Sequence, residues 1–157
     1  MSALEKYPRI TPFLWFESKA DEAVAFYVSV FRNSRILETM RSSVDTPSGP
    51  KGTVLTISFE LDGVPFTALN GGAQVKFNDA ISLFIRCDTQ QEIDYYWAKL
   101  TEGGGEVACG WLKDKFGVSW QVAPTRIFEL ISNEKGMKAM MQMKKLDIAE
   151  LERAEKE

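Results

Sequence analysis

The stretch ISLFIRCDTQQEIDYYW, Ile81–Trp97, reads as a strand, a capped turn and a helix, and it repeats the pattern of Thr11–Val28 at an offset of 69 residues. Leu14 and Leu83, Trp15 and Phe84, Phe16 and Ile85, Val24 and Ile93, Tyr27 and Tyr96, and Phe31 and Leu100 fall in register. Thr89-x-x-Glu92 is a capping box, in which the hydroxyl and the carboxylate each take one of the helix's unpaired N–H groups. The earlier copy opens with Ile10–Phe16 (ITPFLWF), apolar on both parities as in a strand buried on both faces. Ser18 is expected to cap its helix, Lys19–Arg32, with Asp21 and Glu22 in the first turn, where the helix dipole favours acids.

In that first helix Ala23, Phe26, Tyr27, Val30 and Phe31 recur at helical spacing, and Val24, Ala25 and Val28 widen the stripe beyond one face. Such breadth calls for a second packing partner, so a homodimer is expected. Three strands follow, Ser34–Arg41, Thr53–Leu61 and Val64–Leu69. The last two are joined by Asp62-Gly63, a dipeptide suited to a turn with positive φ at both central positions. After a linker from Gly71 to about Ala80, the second helix carries Ile93, Tyr96, Trp97 and Leu100, and Gly103–Gly105 stops it. Strands at about Glu106–Trp111 and Val118–Ala123 flank a turn at Leu112–Gly117. From Pro124 the pattern is helical: Asn133–Lys144 bears a structural stripe of Met137, Met140, Met141 and Met143, and Asp147 can cap Ile148–Glu155.

The expected fold is α+β, one domain of two tandem β-α-β-β-β modules (about 10–70 and 81–124) with a helical extension over 125–157. Two copies imply a pseudo-twofold axis, and mixed sheets curled into a cup on that axis would hold a ligand. At 157 residues there is enough chain for one substantial core. The net charge of −3 offers no basic footprint for nucleic acid. No segment approaches the ~20 apolar residues of a membrane span, and MSALEKYPR lacks the apolar core of a signal peptide, so no membrane partner and a cytoplasmic location are expected. Cys87 and Cys109 are expected to be free thiols there. The chain has no histidine. That removes His-dependent triads, His-carboxylate metal sites and imidazole acid/base chemistry together.

Two modules of this kind resemble the vicinal oxygen chelate superfamily, which includes glyoxalase I, extradiol dioxygenases and bleomycin-resistance proteins. The runs GWLKDKFGVSWQVAP (Gly110–Pro124), CDTQQEIDYYWAKL (Cys87–Leu100) and KKLDIAEL (Lys144–Leu151) resemble its PhnB-like branch, often labelled demethylubiquinone methyltransferase-like. In metal-dependent members, ligands project into the cup from the first and last strands of each module. Carried over by motif, those positions are Phe13, Leu69 or Asn70, Ser82 and Gln121, the last standing where a Glu closes the usual D-x-x-G-x-x-x-E pattern. Phe13 has no ligand atom and Gln121 is a neutral, weak donor, so tight divalent-metal binding is not expected. No cofactor is expected either. The glycine pairs lie in a linker and after a helix, not in the strand-to-helix turn that receives a nucleotide-like methyl donor.

Strand alternation places Ser82, Phe84 and Arg86 on one face, with Phe13, Trp15 and Glu17 as their counterparts. Glu17 and Arg86 either orient a polar substrate or form a solvated salt bridge. Trp15, Phe84 and Trp111 are either walls for a flat ligand or ordinary sheet core. Gln121 and Asn70 can bond a ligand or satisfy backbone. For acid/base chemistry only Glu17, Asp114 and Tyr27 offer themselves, Glu17 foremost; Cys109 has no His to activate it. The expectation is a metal-independent cup for a small molecule. The alternative is an enzyme, methyltransferase-like or a lyase or isomerase using Glu17 and Arg86.

Overall fold

A computed structural model describes all residues from Met1 to Glu157. They form two compact units, Met1–Val75 and Lys76–Glu157. Each contains one β-α-β-β-β module and one four-stranded mixed sheet.

In the first unit β1 (Phe13–Phe16), β2 (Arg35–Arg41), β3 (Val54–Leu61) and β4 (Val64–Asn70) lie in the order β1-β4-β3-β2. β1 runs parallel to β4 and the other pairs are antiparallel. Helix α1 (Ala20–Val30) covers one face, burying Ala23, Val24 and Tyr27 near Phe59, Phe66 and Ala68. Phe59 and Phe66 are partners in register and stack at 5.5 Å. The turn at Asp62-Gly63 has φ of 47° and 79°, as a hairpin of this twist requires.

One cap differs from expectation. Lys19, not Ser18, is the N-cap of α1 and makes no side-chain cap bond. The first helical N–H, on Ala20, instead donates to Asn70 Oδ1 at 2.9 Å. The strand that ends the module thus caps its helix. Ala25 is exposed and Phe26 and Val28 are half-buried, the widened part of the apolar stripe.

In the second unit β5 (Leu83–Cys87), β6 (Gly105–Glu106), β7 (Trp111–Lys113) and β8 (Ser119–Pro124) take the order β5-β8-β7-β6, with β5 parallel to β8. Helix α2 (Gln90–Thr101) opens with the complete Thr89/Glu92 capping box and buries Ile93, Trp97 and Leu100. The strand expected over Glu106–Trp111 is broken. Cys109 (φ 60°) and Gly110 (φ 82°) turn the chain, leaving two short strands where one was expected. Cys109 N–H and Gly110 N–H then donate to Met143 and Lys144 carbonyls, each at 2.8 Å.

Those bonds stitch down the extension of α3 (Ile127–Leu130), α4 (Glu134–Met141) and α5 (Ile148–Lys156). Gln90, the first residue of α2, adds two more, donating to Leu146 O and accepting from Ile148 N–H. Ala123, Ile127, Leu130, Met143, Leu146 and Leu151 form the buried cluster. The methionine stripe divides accordingly: Met143 is buried and Met140 packs on the cluster, whereas Met137 and Met141 are exposed. Asp147 caps α5 through Glu150 N–H. No helix is long and apolar enough to cross a membrane.

Candidate functional site

Register decides which residues share a sheet face. With Phe59, Phe66 and Ala68 turned to α1, the face away from the helix carries Phe13, Trp15, Thr67 and Leu69, joined through Phe13↔Thr67 and Trp15↔Leu69. Phe13 is 55% and Trp15 37% exposed. The Trp15 indole is fixed by donation to Ala73 O at 2.9 Å and lies against Gly71, where a Cβ would overlap the ring. Asn70 is on the other face. It is buried, caps α1, and donates to Asp21 Oδ1 and Val54 O. The open-face residue of the alternative pair is Leu69. Glu17 follows the end of β1, outside the strand, with its side chain exposed and its carbonyl accepting from Gly72 N–H.

The second sheet repeats the arrangement. Leu83, Ile85, Leu112, Trp120 and Val122 pack toward α2, and Phe84, Arg86, Trp111 and Gln121 share the opposite face. Phe84 and Trp111 both lie beside Gln121 in register, Phe84 being 50% exposed and Trp111 half-buried. Gln121 Nε2 donates to Ser82 Oγ at 2.9 Å, so these two positions satisfy each other in part. Arg86 is held by Asp88 (3.3 Å) and Thr125 (3.4 Å). Thr125 in turn donates to Asp88 at 2.6 Å.

Sequence reading did not single out Asp79, which accepts from the buried Ser119 hydroxyl at 2.8 Å and pairs with Lys113 at 3.2 Å. The Ser119 bond, then Lys113, holds its carboxyl below the usual range. Ser119 has the parity of Gln121, which was the one available signal. Asp114 is structural. Buried in the turn, it accepts from Phe116 N–H, Val118 N–H and the Trp120 indole at 2.8, 3.1 and 2.8 Å. Tyr27 is fully buried in the first core, and Cys87 and Cys109 are free thiols.

The residues expected at the superfamily's metal positions are Phe13, Leu69, Ser82 and Gln121. They supply one hydroxyl and one carboxamide, and the carboxamide already donates to the hydroxyl. No group of three or more Cys, Asp or Glu side chains is placed to hold a metal. The donor set does not fit a divalent transition metal.

The family described as 3-demethylubiquinone-9 3-methyltransferase matches residues 8–123, from the approach to β1 almost to the end of β8. The chain belongs to this family, the PhnB-like branch of the vicinal oxygen chelate superfamily. Its fold is similar to that of a PhnB protein from Bacillus cereus, at 37% identity and a TM-score of 0.68, over 75% of this chain and 100% of that one. A protein from Pseudomonas aeruginosa (19% identity, TM-score 0.61, 74% of this chain and 97% of that chain) shares the fold. So does the fosfomycin resistance protein FosX from Listeria monocytogenes (13%, 0.52, 75% and 93%). No curated protein matches the chain. The PhnB-like match stops before α3, leaving most of the extension outside it.

The methyltransferase in the family's description implies a methyl donor. The strand-to-helix turns of the PhnB-like modules, Glu17–Lys19 and Asp88–Thr89, contain no glycine. Gly103 ends α2 at φ 73°, and Gly104 is pressed against Lys113 O. These residues do not form a phosphate-cradling loop for a nucleotide-like donor.

Proposed function

We propose that this PhnB-like protein binds small, flat, partly aromatic molecules on the open face of each of its sheets, without a divalent metal. The observation that carries this reading is the pair Trp15 and Phe84. They occupy equivalent positions in the two modules, each on the face away from its helix and each with more than a third of its surface exposed. Large aromatics left open at matched positions suit stacking on a ligand. Gln121, Ser82 and Arg86 add polar contacts on the second sheet. The reading includes a homodimer, supported by Ala25, Phe26 and Val28 on α1, and a reducing compartment, supported by two free thiols. The enzyme alternative has less support: Glu17, its foremost acid/base candidate, lies past the end of its strand with its side chain exposed.

Native mass spectrometry of untagged protein tests the proposal, since a polyhistidine tag would bring metal to a chain with no histidine. The expected result is a dimer free of divalent metal, with or without a co-purified small organic molecule. A near-stoichiometric divalent metal would sink the metal-independent reading. For any molecule that co-purifies, Trp15→Ala or Phe84→Ala, according to the sheet that holds it, should weaken binding about tenfold or more, the effect of losing one aromatic contact.

A further inference from the structure

The first unit contains a cavity of about 560 Å³ away from Trp15, between the N-terminal segment and the β2-β3 edge of the open face. Volumes of this order suit small-molecule sites. Met1–Ala3 and Lys6–Pro8, at the two ends of a 3-10 turn at Ala3–Lys6, form one wall. Two contacts hold that wall to the sheet. The Tyr7 hydroxyl donates to Phe66 O at 2.9 Å and Phe59 O at 3.3 Å, and Ala3 N–H donates to Glu38 Oε2 at 2.8 Å. Burial, together with the Glu60 and Glu38 carboxylates, raises the phenol above its ordinary range, so Tyr7 remains a donor.

The sheet side is shaped by a bulge. Pairing jumps from Ile36↔Phe59 to Glu38↔Ser58, so Leu37 has no partner across the ladder and lines the cavity with Pro65. Bulges re-aim side chains in this way beside binding sites. Farther along β4 on the same face is Thr67, whose buried Oγ1 has no hydrogen-bond partner.

Besides the Met1 α-ammonium, the lining carries two carboxylates and two cationic side chains, only half used. Glu38 and Glu60 each engage one oxygen, Oε2, with Ala3 N–H and Arg35 Nε respectively. Arg35 engages only Nε, leaving its two terminal nitrogens, and the Lys6 ammonium makes no ion pair. A lone anion would leave the spare carboxylate oxygens facing it, and a lone cation would face the guanidinium and ammonium. A molecule carrying both charges a few ångströms apart meets both.

We propose that this cavity is a binding site for a zwitterion of the α-amino-acid type, its carboxylate taken by Arg35 and Lys6, its ammonium by Glu38 and Glu60, and an apolar side chain set against Leu37 and Pro65. The site stands apart from the aromatic surface proposed above and does not depend on it.

Calorimetric titration of the full chain tests it with three probes: L-phenylalanine, 3-phenylpropanoate, which lacks the amine, and 2-phenylethylamine, which lacks the carboxylate. L-Phenylalanine should bind with a Kd on the order of 1 mM or tighter, and each singly charged analogue at least about tenfold more weakly. Arg35→Gln and Lys6→Gln should each weaken L-phenylalanine binding, with circular dichroism showing intact folding. Trp15→Ala should leave it unchanged, which separates this site from the aromatic surface. Absence of binding by L-phenylalanine, equal binding by either analogue, or full binding by Lys6→Gln and Arg35→Gln together would overturn the proposal.

Discussion

Asn70 Oδ1 accepts the Ala20 N–H at 2.9 Å, so the last residue of β4 caps the helix that follows β1. Fifty positions separate the two in sequence, and the same carboxamide donates to Asp21 and to Val54 O. Asn70→Ala should therefore cost about 2–3 kcal/mol, combining a lost cap with buried groups left unpaired. Urea unfolding followed by circular dichroism would show it as a lowered midpoint. Ser18→Ala, by contrast, should change the midpoint little, because Ser18 does not cap α1.

The Asp114 carboxylate closes the turn between β7 and β8. It gathers two backbone N–H groups and the Trp120 indole, all within six residues. Asp114→Ala should lower stability by about 2–4 kcal/mol, since three donors lose a charged acceptor. Asp114→Asn, which keeps one acceptor oxygen, should lose roughly half as much. Because this carboxylate builds a turn and faces no open sheet surface, neither variant should change affinity for a ligand held by Phe84. A folded Asp114→Asn protein that lost ligand binding would show the turn to be part of the site.

Much of the fold was legible because its signals are local. The Thr89/Glu92 box and the Asp62-Gly63 turn each declare themselves within a few residues, and each forms as expected. What escaped notice depends on distant partners. The cap on α1 comes from another strand, and the break at Cys109-Gly110 is fixed by carbonyls of Met143 and Lys144. A cysteine at φ 60° carries no turn signal of its own. Alternation placed Phe84 and Arg86 on one face, as the register shows, but it could not foresee that Ser82, just before β5, bonds Gln121 or that Asp88 and Thr125 hold Arg86.

Cys87 is buried against α2, and burial, with help from Glu92 and Asp88, pushes its thiol up to about 12. An unfolded thiol ionises near 9. Above that pH the unfolded state binds fewer protons than the native state, so native stability falls as pH rises from about 9 to about 12 and is unaffected below. Urea midpoints of the wild type should decline across that window more steeply than those of Cys87→Ala. At pH 8, a disulfide reagent should label half-buried Cys109 first and Cys87 only at the rate of opening. Rapid labelling of both thiols would show that the β5–α2 contact opens readily.

Gly71 sets the position of Trp15. Its carbon backbone lies against Cε2 and Cζ2 of the indole, and any side chain there would have to displace the ring or the strand end. Gly71 donates its N–H to Phe16 O at 2.8 Å, which keeps the backbone from retreating. Gly71→Ala should therefore move the indole and break its bond to Ala73 O. The core beneath is untouched, as Phe59, Phe66 and Ala68 lie on the other face, so the cost in stability should stay near 1–2 kcal/mol, the range of modest overpacking. The tryptophan emission should shift to the red as the ring becomes more exposed. If Trp15 is a stacking surface, Gly71→Ala should weaken ligand binding nearly as much as Trp15→Ala, and the two substitutions together should be no worse than Trp15→Ala alone. Additive losses in that double-mutant cycle would mean that Gly71 acts on binding by a route other than the indole.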